Sequence, residues 1–396
     1  MIDGPEGHVL RAGVSLPARL LDGYEVHRAA LSHGLNVLAL PRQVLLVSEE
    51  DPVPGAMSFT HGVPEASGLS AVTFAQDHRL SRALLERAGV QIPKGASFSW
   101  RSIQRAGRWA TRLGYPVALR EGVGEKPARS VRHINSDDEL RKAFSELRLR
   151  DKADRAPGSN PLVAGYATTR LTFTLDEEGN EVAPLRSRML VEEDPAGRAL
   201  RAFVVGGRVV AVVELDDDQT SGVTDVTGDV PDAVADVFVL ASEAIPGLAC
   251  ATVDVLWSVE STDRPVLVTG VSERPRAETF AVADDRLSEV IGSAVFESQA
   301  SSSSLTLGPQ LDDVSCRLQV EGLRQARRVA DILPEVFAEH DVDFVIARVD
   351  EVTGDLEATV AGSPGVLAAL IELLMAGELA DDKAAAIETS KGPVSV

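Results

Sequence analysis

Two consecutive glycines, Gly206 and Gly207, divide the valine-dense runs 200–205 and 208–215. Glycine tolerates positive φ at both central positions of a two-residue turn, so the spacing predicts two antiparallel strands joined directly. Any fold of this chain has to hold that hairpin near its middle. Around it the pattern changes repeatedly between helical spacing and short extended runs.

Upstream, a helix is expected over 21–35, followed by strands at 36–40 and 43–47 and a Pro/Gly-punctuated stretch at 51–68. Helices at 77–89 and 103–113 end at Gly89 and Gly114. A strand at 115–120 is entered through Pro116, a glycine-containing loop spans 122–127, and a strand covers 131–134. Ser136 and Glu139 then form a capping box opening a helix to about residue 149. Strands are expected at 171–175, 188–192, 251–257 and 265–271, with helices at 231–244 and 287–296. Residues 298–310, including four serines in a row, read as a linker. Beyond it comes strand–helix–strand–strand–helix, at 314–320, 324–340, 342–349, 356–360 and 366–379. That order suits a ferredoxin-like layer of helices on an antiparallel sheet.

The class expected is therefore α+β. The divisions are a small α/β lead-in at 1–69, a main domain at 70–297, the linker at 298–310, the ferredoxin-like unit at 311–380 and a polar tail at 381–396. No internal repeat is visible.

The formal net charge is −21 over 396 residues. So acidic a chain does not release counterions from a phosphate backbone on a large scale, which argues against a nucleic-acid partner. The two cysteines, Cys250 and Cys316, are far apart and support neither a disulfide framework nor a thiolate metal site. The first 21 residues lack a basic segment followed by an apolar run, and no stretch reaches the ~20 apolar residues of a membrane span. The best candidate, 366–375, contains Glu372. The expectation is a cytoplasmic protein without a membrane partner. No zinc spacing, G-x-S-x-G elbow, Walker A loop or complete G-x-G-x-x-G fingerprint occurs.

Four motifs in order carry a resemblance. One runs Asp77-His78-Arg79-Leu80, Leu84-Leu85 and Ala88-Gly89-Val90-Gln91-Ile92-Pro93-Lys94-Gly95. The second is Leu113-Gly114-Tyr115-Pro116-Val117-Ala118-Leu119-Arg120. The third is Leu190-Val191-Glu192, then Gly197, Arg201 and Val204-Val205-Gly206-Gly207-Arg208-Val209-Val210-Ala211. The fourth is Thr252-Val253-Asp254. Together, over about 70–279, they resemble the ATP-grasp superfamily, with most likeness to the branch of cyanophycin synthetase and related carboxylate–amine ligases. The resemblance implies ATP held between two α+β lobes and an acyl phosphate attacked by an amine. It implies lysines and a glycine-rich loop on the phosphates, and Mg2+ bound by hard oxygen ligands.

The departures fall on those very groups. The family lysines are replaced by His78 and Arg120. The mobile loop, 122–129, has few glycines and contains Pro127. In Gly270-Val271-Ser272-Glu273-Arg274-Pro275, Gly270 stands where the bridging carboxylate belongs and Ser272 where the asparagine belongs. By resemblance Asp254 remains a metal-strand acid, Glu192 the hinge acid that meets the nucleoside, and Arg201 the phosphate-side arginine. Phosphoryl transfer depends almost wholly on positioning and charge stabilisation, so such losses erode it.

Two readings follow. In the first, the chain is a degenerate ATP-grasp pseudoenzyme, binding ATP and Mg2+ weakly or not at all. It then acts as a binding or assembly subunit whose C-terminal unit meets a protein partner or a second copy, in a large assembly such as a virion. In the second, it is an active ATP-dependent carboxylate–amine ligase. Arg120, Lys126, Glu192 and Arg201 then meet ATP, Arg201 serves catalysis, and Asp254 with Glu273 holds Mg2+.

Overall fold

The computed structural model describes residues 7–49, 56–99, 101–121, 130–153, 174–175, 181–182, 188–216, 222–261, 263–303 and 305–391. It is a mixed helix-and-sheet chain. Its contacts divide into two compact units, one of residues 67–209 and 228–273, the other of 1–66, 210–227 and 274–396.

The first unit holds a four-stranded antiparallel sheet in the order Gly95–Ser99, Arg188–Glu193, Val117–Glu121, Ser130–Ile134. The helices Ile103–Leu113 and Asp137–Ala153 cover it. Ala106 and Ala110, one turn apart, are fully buried against Val117, Leu119, Leu140, Phe144 and Val191. Small residues at that spacing let the helix lie close to the sheet. Ser136 Oγ accepts from the Glu139 N–H at 3.2 Å, and the Glu139 carboxylate accepts from the Asn135 N–H at 2.8 Å. These satisfy donors that the first helical turn leaves open.

After residues 194–197 the same unit continues as antiparallel strands Arg198–Val205, Cys250–Trp257 and Val266–Ser272, backed by the helix Asp232–Glu243. Gly206 and Gly207 both have positive φ, 56° and 70°. A bulge follows Asp254, where the Thr269 hydroxyl donates to the Asp254 carbonyl at 3.2 Å.

The second unit is built on eight antiparallel strands. Their order is Asp343–Asp350, Asp355–Gly362, Val314–Glu321, Ala386–Lys391, Asn36–Leu40, Val44–Ser48, Met57–Thr60, Val63–Pro64. From Val314 the element order is β-α-β-β-α-β. The lead-in and the C-terminal segment, separate in the sequence reading, share this one sheet. The reason is the strand Ala386–Lys391, which lies within the expected polar tail. Ile387 and Thr389 point inward, each 1% exposed, while the alternating Ala386, Glu388 and Ser390 are only half-buried. A strand with a single aliphatic core residue leaves little apolar pattern to read.

The expected linker also differs. The helix Asp285–Ser302 runs into it, and the Ser301 and Ser302 hydroxyls donate to the carbonyls of Glu297 and Ser298. The helix Pro364–Ala376 is buried on nearly every face, which explains its apolar composition. Its single acid, Glu372, meets His27 Nδ1 at 3.0 Å across the helix Leu21–Ser32. No helix among the described residues is long and apolar enough to cross a membrane.

Candidate functional site

The first unit brings the resemblance residues together, and it pairs them with one another. On the four-stranded sheet, Glu192 is 1% exposed. One of its carboxylate oxygens lies 2.7 Å from Arg120 Nε, and the other accepts from Arg82 at 2.7 Å. Burial pushes the Glu192 carboxyl upward in pKa, against the pull of Arg120 and Arg82. Gly95, opposite Glu192 in register, makes the arrangement possible. A Cβ there would lie 2.9 Å from Glu192 Cβ and 3.1 Å from the Val191 carbonyl oxygen.

The next two acids are held in the same manner. Glu193 pairs with Arg264 at 2.8 Å and accepts from the Lys94 N–H at 2.9 Å. Burial alone would raise its carboxyl; those donors and charges outweigh it and hold the pKa below the usual range. Asp194, 2% exposed, accepts from Arg132 Nε at 2.9 Å and from the His133 N–H at 2.6 Å. Three consecutive acids are thus each docked on a guanidinium.

On the other sheet, Arg201 and Asp254 are partners across adjacent antiparallel strands. Arg201 donates from Nε to one carboxylate oxygen at 2.7 Å and from a terminal nitrogen to the other at 3.0 Å. A two-point fork of this kind fixes both groups. Gly270 faces Asp254 from the neighbouring strand, and a Cβ built there would sit 3.8 Å from an Asp254 carboxylate oxygen.

The remaining positions are placed as follows. Glu273 is 3% exposed; its carboxylate accepts from Gln76 at 2.8 Å, and its carbonyl from the Cys250 thiol. His78 opens the helix His78–Arg87, capped by the Asp77 side chain. Lys126 and the rest of 122–129 lie outside the described residues.

A divalent ion bridging nucleotide phosphates needs several hard oxygens with lone pairs to give. Both Asp254 oxygens are already engaged by Arg201, and the facing residue carries no side chain. Among the described residues no group of three or more His, Cys, Asp or Glu is placed to hold a metal. The residues present do not fit Mg2+ at this place. What the unit does offer is a cavity of about 350 Å3 beside residues 193–196, walled by Pro116, Pro195, Leu256 and Leu267 with Arg264 at its polar side.

No family model and no curated protein sequence matches the chain. Parts of solved structures do align with it. One is D-alanine–D-alanine ligase from Bacillus anthracis, at 12% identity and TM-score 0.38, over 60% of this chain and 72% of that one. Another is the ATP-grasp ligase PsnB complexed with precursor peptide PsnA2 and AMPPNP, at 12% identity and TM-score 0.38, over 59% and 61%. A third is a bifunctional glutathione synthetase from Pasteurella multocida, at 12% identity and TM-score 0.35, over 59% and 37%.

Proposed function

We propose that this chain is a degenerate ATP-grasp-fold protein that has exchanged ligase chemistry for a binding or assembly role. One observation carries the reading. The cations and the acid standing at the phosphate and metal positions, Arg120, Arg201 and Asp254, form ion pairs within the chain. A phosphate would have to displace Glu192 from Arg120, and a metal would have to displace Arg201 from Asp254. Each exchange breaks a charge-assisted contact, largely buried at Glu192 and partly shielded at Asp254, which is unfavourable unless the incoming contact is better. Gly270 removes the second carboxylate that would tip the balance toward the metal.

The β-α-β-β-α-β part of the other unit then serves as the module that meets a protein partner or a second copy, in a structural assembly such as a virion. The cavity beside residues 193–196 favours a second reading, in which a nucleotide is still held and ligation of a carboxylate to an amine persists.

Calorimetric titration of the full chain with ATP and Mg2+ tests both. The degenerate reading expects no heat at millimolar nucleotide. It further expects binding to emerge when Gly270→Glu restores the carboxylate and Arg201→Met releases Asp254. Micromolar binding by the wild type, lost in Asp254→Ala, overturns it and supports the ligase.

A further inference from the structure

The second unit contains a convergence of turns that the ATP-grasp reading does not use. Arg42, Gln43, His61 and Arg276 all have positive φ, at 70°, 54°, 52° and 55°. Side-chain-bearing residues seldom adopt that conformation, and its clustering in folded proteins marks sites where geometry serves something besides packing. These four lie on three turns that meet at one place, the start of the helix Leu21–Ser32. The Gln43 side chain accepts from the Gly23 N–H at 3.1 Å, and the Gln43 carbonyl from the His61 N–H at 3.0 Å. Gly62 packs so tightly that a Cβ would fall 2.8 Å from the Asp22 carbonyl oxygen. From the third turn, Arg274 Nε lies 3.5 Å from the Asp22 carboxylate, and the Ala277 N–H donates to it at 2.9 Å.

The charges at this point are unusual for so acidic a chain. Burial first, then Arg274 and Arg42, holds the His61 imidazole down to about 4, so the ring is neutral at pH 7. Its Nδ1 is buried with no hydrogen-bond partner among the described residues. Asp22 is the acid set against Arg274 and Arg276, and burial pushes it up to about 6. A buried ring nitrogen without a partner is an unfilled hydrogen bond, and in the tautomer that carries the proton on Nδ1 it lacks an acceptor. An oxyanion supplies it: it accepts from the imidazole and relieves the repulsion between the arginines.

We propose that the turns at 41–43, 61–62 and 274–277 form a binding site for a small oxyanion, a carboxylate or phosphate group, gripped by Arg42, His61 and Arg274. The exposed Arg42 closes over the ligand, while Arg274, anchored on Asp22, forms the base. The contacts at Asp22, Gly23 and Gln43 bring the three turns side by side. The site belongs to residues 1–66 and 274–396 and depends on neither reading of Arg201 and Asp254.

The test uses the full-length chain at constant ionic strength, with chloride balancing the added anion. Inorganic phosphate and succinate are titrated separately, with the His61 ring resonances by NMR and the thermal midpoint as readouts. The expected result is a saturable shift of the His61 signals and a saturable rise in midpoint with at least one anion. Phosphate alone identifies a phosphate-bearing ligand; succinate alone identifies a carboxylate. Asparagine tolerates positive φ, so Arg42→Asn and His61→Asn leave the turns intact. Each should weaken the midpoint response at least tenfold in anion concentration. Absence of saturation with both anions overturns the proposal. So does an unchanged response in both variants, which means that the anions act elsewhere.

Discussion

Arg201 and Asp254 face each other across two antiparallel strands, joined at 2.7 and 3.0 Å by a guanidinium fork. The pair is only partly shielded, with side-chain exposures of 10% and 29%. Its coupling should therefore fall between that of a surface pair and a fully buried one, about 1–2 kcal/mol. A double-mutant cycle of Arg201→Ala and Asp254→Ala, read by urea unfolding, measures it. Strict additivity of the two single changes would mean that the fork contributes nothing, and that Asp254 is available to other cations.

Glu192 is the deeper case. Glu192→Ala strands Arg82 and Arg120 in a poorly solvated place, and the expected loss of stability is about 3–5 kcal/mol. Glu192→Gln retains oxygen and size and should lose less. Equal losses for the two variants would show that the negative charge, which both remove, is what matters there and that side-chain volume adds nothing.

Gly95→Ala tests the same cluster from the opposite strand. The added methyl meets Glu192 Cβ and a backbone oxygen, neither of which can swing away as the end of a long side chain can. Overpacking of this kind destabilises by about 1–3 kcal/mol. A neutral effect in chemical unfolding would show that the two strands separate more easily than their register suggests.

The pH profile should carry the mark of Asp22. Its carboxyl is raised from 3.8 to about 6, first by burial, then by Glu278, against Arg274. The folded chain holds this proton more tightly than the unfolded chain does. The group's contribution is thus fully present below pH 3.8 and is lost as pH rises through 6, a change of about 3 kcal/mol. Asp22→Asn keeps an oxygen for the Ala277 N–H and removes the titration. It should flatten the profile between pH 4 and 7 and be the more stable form at pH 7. Parallel urea midpoints for wild type and variant across that range would refute the assignment.

Ile387 is the one aliphatic side chain that its strand buries, at 1% exposure. Ile387→Ala should lower stability by about 2–4 kcal/mol. Calorimetry should show the loss in the transition of the eight-stranded unit, and a midpoint within a degree of wild type would contradict the strand's central position.

Local signals read well from sequence. The helix Ile103–Leu113 has its expected ends, the strand Asn36–Leu40 lies at its expected residues, and Ser136 with Glu139 closes the turn it was expected to close. These depend on spacing within a few residues. The pairings that define the candidate site do not. Arg82 reaches Glu192 across 110 positions, Arg264 reaches Glu193 across 71, and Arg132 reaches Asp194 across 62. No periodicity records such partners, so the run Glu192-Glu193-Asp194 carries no sign of them in the sequence. One trace was available: Gly95, extended and next to Pro93 and Lys94, marks a close approach of another backbone. The strand Ala386–Lys391 was hidden for a different reason, since its inward side holds only Ile387 and Thr389.

That strand sits between Val314–Glu321 and Asn36–Leu40, and its position has a consequence for synthesis on the ribosome. Residues 36–64 emerge early, yet their sheet has no neighbour to join until residue 391 is free of the exit tunnel. Residues 67–273 contain the whole of the other unit, which can fold during that wait because all of its strands are already translated. The early strands meanwhile carry an open edge, which favours pairing with the wrong neighbour. Completion of the eight-stranded sheet is therefore a late, long-range closure, and its speed is set by topology rather than by local propensity.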